Sequence, residues 1–388
     1  MALPVTISGA TFTRKNCFVG PFKSSGASFY VVAIDTTSNK YAVYKATDPT
    51  SSFSEQDSAN RPTAAVGAHP GAWAVQDGDI LRMLTPDGNS RNTFYHDFSM
   101  ATDTWGTKDV TAVSESTGII PNIGCSLVKR SAGDLVGLVY VNETIKGAAW
   151  VRTYYVLSTD GGATWSAPTA VGATGVERHV IGNIAILGAS DRSHFFYTDD
   201  TTLKHRSLSS ANSLGSEETP TSANAVTAQL HNVISGVSYV SGANTVIKTA
   251  YRASGSDKLD SIEFNSAATG ATVGTAAFID NTIFDDGVTT SPRSVHGCMA
   301  KDGTTVHCLY ADHTTQDLFH DKQTDGGSWG TDVEELDAVT VNAVSCNIYD
   351  RSGIRLAYVY DDGGTVKYNE INLSSDQSWA LSGVLATG

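Results

Sequence analysis

The chain repeats itself. A Gly or Ser opens a short apolar run seven times in its 388 residues, at Gly20, Gly71, Gly124, Gly182, Ser235, Gly297 and Ser345, in steps of 48 to 62 residues. A second anchor, an apolar residue behind a polar turn, follows each opening after 32 to 41 residues: Phe53, Trp105, Trp165, Leu214, Val273, Trp329 and Trp379. Two more apolar runs lie between the anchors, such as Leu138-Val139-Tyr140 with Thr153-Tyr154-Tyr155-Val156, or His307-Cys308-Leu309-Tyr310 with Asp317-Leu318-Phe319-His320. Runs this short, rich in β-branched and aromatic residues and bounded by Gly, Asp, Asn and Ser, are strands; helical periodicity is nearly absent.

Four antiparallel strands recurring at about 54 residues make the blade of a β-propeller, whose radial closure leaves few sheet edges open. The sequence therefore predicts an all-β chain forming one propeller domain over 1–388, most simply with seven four-stranded blades. They fall near 13–60, 61–112, 113–172, 173–222, 223–286, 287–337 and 338–388, with 1–12 as an N-terminal closure strand. Unit five is the loosest, so six blades plus an irregular insertion is the alternative. No Ser/Pro-rich linker divides the series. The 36 glycines belong to its turns. Asp361-Asp362-Gly363-Gly364, between Ile354–Tyr360 and Thr365–Tyr368, supplies the positive φ angles that a tight hairpin demands.

Charge removes some partners. Acidic residues outnumber basic ones 40 to 26, a formal net charge of −14, which repels phosphate backbones and argues against nucleic acid. No run approaches the roughly 18 apolar residues of a membrane helix, so no membrane insertion is expected. The opening Met1-Ala2-Leu3-Pro4-Val5-Thr6 lacks a signal peptide's basic and apolar regions, which predicts cytoplasmic synthesis. Cys17, Cys125, Cys298, Cys308 and Cys346 are odd in number and far apart, and read as small buried strand residues.

The most specific motif is Ser158-Thr159-Asp160-Gly161-Gly162-Ala163-Thr164-Trp165. It resembles S-x-D-x-G-x-T-W, the Asp-box or BNR repeat of the sialidase-like β-propeller family. Unit one keeps the length, with Asp48, Ser52 and Phe53 at the positions of Asp160, Thr164 and Trp165. Shortened forms occur at Thr324–Trp329, Asp103-Thr104-Trp105 and Asp376–Trp379. The resemblance implies a structural clip between the third and fourth strands of a blade, away from the sugar-binding face. Ser158, Asp160, Gly162, Thr164 and Trp165 are then turn and wedge residues, not catalytic ones.

The family's enzymes hold a carboxylate with three arginines, attack with a Tyr activated by Glu, and carry an Arg-Ile-Pro string. That string is absent; Arg61-Pro62 is nearest and lacks the middle residue. Glu177, Arg178, Arg252 and Arg293 fall near inner strands and are the weak catalytic candidates. A second pattern comes from the repeat alignment itself. A His, Asn or Arg precedes each inner strand: Asn16, His69, Asn122, His179, His231 with Asn232, Arg293 with His296, and Asn342. In a propeller such positions crowd the central channel, where amide, imidazole and guanidinium groups suit a hydroxyl-rich ligand or hold channel water. The one-per-blade spacing of the histidines resembles no metal motif. Asp285-Asp286-Gly287 and Asp361–Gly364 read as turns, with Ca²⁺ as the alternative, and no other cofactor is implied. Trp73 and Trp150 are strand-core residues unless exposed as sugar platforms.

Three functions remain in play. A carbohydrate-binding propeller with a glycan or polysaccharide partner fits best, with binding favoured over catalysis. A glycoside-cleaving enzyme, either a diverged hydrolase or a polysaccharide lyase, is the alternative. A structural decoration protein is the third. The low charge and Ser/Thr/Gly/Ala-rich strands are similar to those of bacteriophage virion proteins, which would place a host-surface reader among other virion proteins.

Overall fold

The computed structural model describes residues 3–11, 19–63, 72–87, 92–114, 125–143, 150–172, 184–199, 202–219, 233–241, 244–253, 258–265, 277–280, 297–311, 316–324, 327–331, 333–336, 340–341 and 343–374. Among these there is no α-helix, only two single-turn 3₁₀ segments, Ser58–Asn60 and Ala189–Asp191. The strands form consecutive antiparallel meanders, as the β-propeller reading requires.

After Val5–Thr11 (β1), the first meander is Val19–Lys23, Phe29–Asp35, Lys40–Ala46 and Ser54–Gln56 (β2–β5). The second is Trp73–Asp77, Ile80–Pro86, Asn92–Ser99, the two-residue Thr104–Trp105 and Val110–Ser114 (β6–β10). The third is Cys125–Lys129, Leu135–Glu143, Trp150–Ser158 and Thr169–Ala170 (β11–β14). The fourth has Ile184–Leu187, Ser193–Asp199 and Thr202–Leu208 (β15–β17), with bridges to Leu214 and Glu218 in place of a fourth strand. The fifth is Val233–Ser241, Asn244–Ala253, Lys258–Asn265 and Ala277–Asp280 (β18–β21). The sixth is Gly297–Asp302, Thr305–Ala311, Leu318–Thr324 and Val333–Leu336 (β22–β25). The seventh is Val344–Asp350, Ile354–Asp362 and Thr365–Asn372 (β26–β28), and its fourth strand is β1 from the other end of the chain.

The first strands β2, β6, β11, β15, β18, β22 and β26 touch in sequence, and β26 returns to β2. The strands next to them are flanked by neighbouring sheets, which is why β3 is buried along its whole length, with no alternation of polar and apolar residues. Closure is made by β1. It pairs with β28 through Val5↔Tyr368 and then with β3 through Ala10↔Asp35, joining meanders seven and one in one eight-stranded sheet.

The second anchors share one direction. Each one described packs on the meander before it. Trp105 joins the core that holds Tyr30 and Val43 of meander one, and its backbone N–H donates to Asp57 (2.9 Å). Trp165 sits on Tyr95 of meander two, ring centres 5.6 Å apart. Leu214 packs among Val128, Val136 and Leu138 of meander three. The Trp329 indole N–H donates to Ser261 of meander five at 2.8 Å. Phe53 of meander one meets Tyr368 of meander seven at 5.5 Å, so the series is cyclic. Val273 and Trp379 lie outside the described residues.

Candidate functional site

The Ser158–Trp165 turn joins the third and fourth strands of its meander, and the Ser158, Asp160, Thr164 and Trp165 side chains all bond within it. Asp160 accepts from the Thr164 backbone N–H (2.9 Å), the Thr164 hydroxyl (2.6 Å) and the Ser158 hydroxyl (2.8 Å). Those donors favour the carboxylate and hold its pKa down at about 2. The Gly162 N–H donates to Ser158 Oγ, and the Trp165 indole donates back to the Gly162 carbonyl. Arg82 of meander two donates to the Gly161 carbonyl (3.1 Å) and to the Tyr95 hydroxyl (2.9 Å), clamping the turn to its neighbour. The turn is a clip.

The residues expected around the channel are not placed. His69, Asn122, His179, His231, Arg293, His296 and Asn342 lie outside the described residues, as do Asn16, Asn232, Glu177 and Arg178. Arg252 lies in β19 opposite Leu259, with its side chain outside the description. Trp73 opens β6 and packs against the core between meanders two and three and also against Ile184, Ile186 and their neighbours in meanders four and five. It is a half-buried packing residue. Arg61, nearest to the family's missing string, is structural: it pairs with Asp35 and Glu55, both at 2.7 Å.

The Asp361–Gly364 turn also closes on itself. Asp361 accepts from the Gly364 N–H at 2.7 Å, and Asp362 pairs with Lys367. Asp285, Asp286 and Gly287 are outside the described residues, among which no group of three or more His, Cys, Asp and Glu is placed to hold a metal. Among the described cysteines, Cys125, Cys298 and Cys308 are buried and Cys346 is half-buried, and the Cys125 thiol donates to the Leu84 carbonyl at 3.1 Å.

A concave site lies between meanders six and seven. A cavity of about 330 Å³ is walled by Asp302 and Thr305 of the first turn, His307, His320, Asp321 and Lys322 of the middle strands, Thr331 and Glu335 of the outer edge, and Ile371 and Leu373 from β28 and the residue after it. Antiparallel pairing sets it up. Leu309 faces His320 across the β23–β24 ladder, which puts His307, two residues before Leu309, diagonal to His320 on the same face. The two rings stack, their centres 5.2 Å apart, with His307 Nδ1 3.0 Å from His320 Nε2. His320 Nδ1 lies 3.5 Å from Glu335 Oε1, an oxygen that is buried and receives no hydrogen bond. Burial, with His320 and Lys322 adding to it, pushes the His307 imidazole down to about 3, so at neutral pH it is uncharged.

Meander four repeats the device. His194 Nδ1 is 3.0 Å from His205 Nε2, and His205 Nδ1 is 3.3 Å from Glu218. Burial lowers the pKa of His205 as well, against the opposing pull of Glu218. Neither pair was legible from positions preceding the inner strands. The available signal was different: a His on each side of a hairpin, at 194 and 205 and again at 307 and 320, each followed by a Glu beyond the next turn, at 218 and 335.

No protein-family model and no curated protein sequence matches this chain. Solved structures do resemble it, at identities that speak for the fold alone. A triple arginine-to-alanine mutant of AofleA from Arthrobotrys oligospora is 8% identical, with 79% of this chain and 83% of that one covered and a TM-score of 0.51. The Penicillium chrysogenum alpha-L-arabinanase complexed with arabinobiose is 11% identical over 96% of this chain and 98% of its own, at 0.50. A point mutant of the NanB sialidase from Streptococcus pneumoniae is 12% identical over 96% and 71%, also at 0.50. Sialidases and the arabinanase are propeller glycosidases, and this chain shares their all-β propeller architecture.

Proposed function

We propose that this chain is a carbohydrate-binding, sialidase-like β-propeller that holds a glycan or polysaccharide without cleaving it. The observation that carries this reading is the Ser158–Trp165 turn. A string resembling the complete sialidase-type repeat folds as a hydrogen-bonded clip in the expected place, between the third and fourth strands of a meander, docked on the meander before it. Two of the similar structures, a sialidase and an arabinanase with its disaccharide, are named for sugars, which supports the class of ligand. The missing Arg-Ile-Pro string supports binding over hydrolysis.

A glycan array probed with the folded chain tests this. Binding to at least one sugar class is expected, with no release of reducing ends from the bound glycan; an array with no binding sinks the reading. We further place the protein on a bacteriophage particle as a host-surface reader, on the strength of its low charge and Ser/Thr/Gly/Ala-rich strands. Mass spectrometry of purified particles should then detect the chain, and its presence only as free protein would remove that part.

A further inference from the structure

The cavity between meanders six and seven differs from the channel ring expected from the sequence. The ring residues precede the first strand of each unit, whereas the cavity draws on Asp302 and Thr305 at the turn that follows that strand, and on β28 of the next meander. Its volume of about 330 Å³ is at the small end of ligand pockets, which run from about 300 to 1,000 Å³. That suits one sugar ring rather than a chain.

Its chemistry narrows the occupant. The Glu335 side chain is 4% exposed, yet Oε1 receives no hydrogen bond. A buried carboxylate oxygen without a donor is costly, and a ligand hydroxyl would supply the donor. His307 has its Nδ1 engaged by His320, which leaves Nε2 as the ring nitrogen for a ligand. Lys322 and the Thr305, Thr324 and Thr331 hydroxyls add donors and acceptors, while Val333, Ile371 and Leu373 offer an apolar wall for the C–H face of a sugar. Asp302, Asp321 and Glu335 set three carboxylates around the space against one lysine, which repels an anionic ligand.

We propose, resting on the carbohydrate reading, that this cavity is a binding site for a single neutral sugar unit and rejects carboxylate-bearing sugars. The unbonded Glu335 oxygen takes a sugar hydroxyl, the His307 edge and Lys322 fix its orientation, and Leu373 closes one side.

The test is a titration of the complete chain, labelled with ¹⁵N-histidine, with L-arabinose, D-galactose and D-glucose, and with N-acetylneuraminic acid as the anionic control. His307→Gln assigns the His307 ring signal. At least one neutral sugar should shift that signal saturably below about 100 mM, while the anionic sugar leaves it in place. Glu335→Gln should weaken the neutral sugar about tenfold, and Leu373→Trp, which fills the cavity, should abolish the shift. A wild-type His307 signal unmoved by every neutral sugar overturns the site, and that measurement does not depend on any variant folding. If the array still shows glycan binding in that case, or if Leu373→Trp binds the array as wild type does, only the cavity assignment falls. A blank array with wild type removes the carbohydrate reading itself.

Discussion

Gly162 has no room for a side chain. Its φ is +100°, and a Cβ there would lie 2.1 Å from the Tyr95 ring. Gly162→Ala should therefore both strain the backbone and push Tyr95 away from Trp165, at a cost of about 2–4 kcal/mol in guanidinium unfolding. Arg130 makes a different case. Its guanidinium, 1% exposed, donates to Asn212 Oδ1 (2.6 Å) and to the carbonyls of Leu208 (3.2 Å) and Ser209 (2.9 Å), holding the last turn of meander four against meander three. Arg130→Met keeps the bulk but leaves those acceptors without donors, and should cost about 3 kcal/mol, measured the same way. The clip was legible because its donors and acceptors lie within eight consecutive residues. Arg130 was not, because its partners are some eighty positions away and nothing local distinguishes it from a surface arginine.

At the scale of strands, the buried histidines tie the hairpins to pH. His96 accepts the Asp109 backbone N–H at Nδ1 (2.9 Å), so the proton sits on Nε2 and is donated to the Thr85 hydroxyl (2.6 Å). A second proton would displace that backbone donor in a fully buried site, and desolvation holds His96 down at about 4. An unfolded histidine takes its proton near 6.5. Between about pH 4 and 6.5 the unfolded chain therefore binds more protons than the folded one, and stability falls as the pH falls. It should be level above pH 7 and decline below 6.5, by about 3 kcal/mol for His96 alone once pH 4 is reached. Urea midpoints across pH 4.5–7.5 measure this, and His96→Gln should flatten the slope whatever it does to the absolute stability. A slope unchanged in that variant would assign the acid sensitivity elsewhere. Sequence showed such hairpins through their short apolar runs, as in His307-Cys308-Leu309-Tyr310 with Asp317-Leu318-Phe319-His320. It did not show which histidines meet, because that depends on ladder register, and a shift of one residue would send each ring to the opposite face.

The ring as a whole is closed by strand β1, with Val5 and Ile7 almost fully buried against meanders one and seven. Ile7→Asp should introduce an unpaired charge there and lower stability by more than about 3 kcal/mol, with loss of a single cooperative unfolding transition by circular dichroism if the two ends part. The repeat spacing made the architecture readable, since seven openings and seven anchors leave little chain unassigned. The anchors' direction was not readable, for a tryptophan behind a turn carries no mark of which neighbour it will meet. That direction has a consequence for assembly. Trp105, Trp165, Leu214 and Trp329 each dock on a surface made by residues earlier in the chain, so a ribosome delivering the protein from its N-terminus offers every such side chain a seat already synthesised. Phe53 alone of those described must wait, because Tyr368 leaves the ribosome more than three hundred residues later. Growth is vectorial, like laying courses of brick, and the first course stays unmortared until the last arrives.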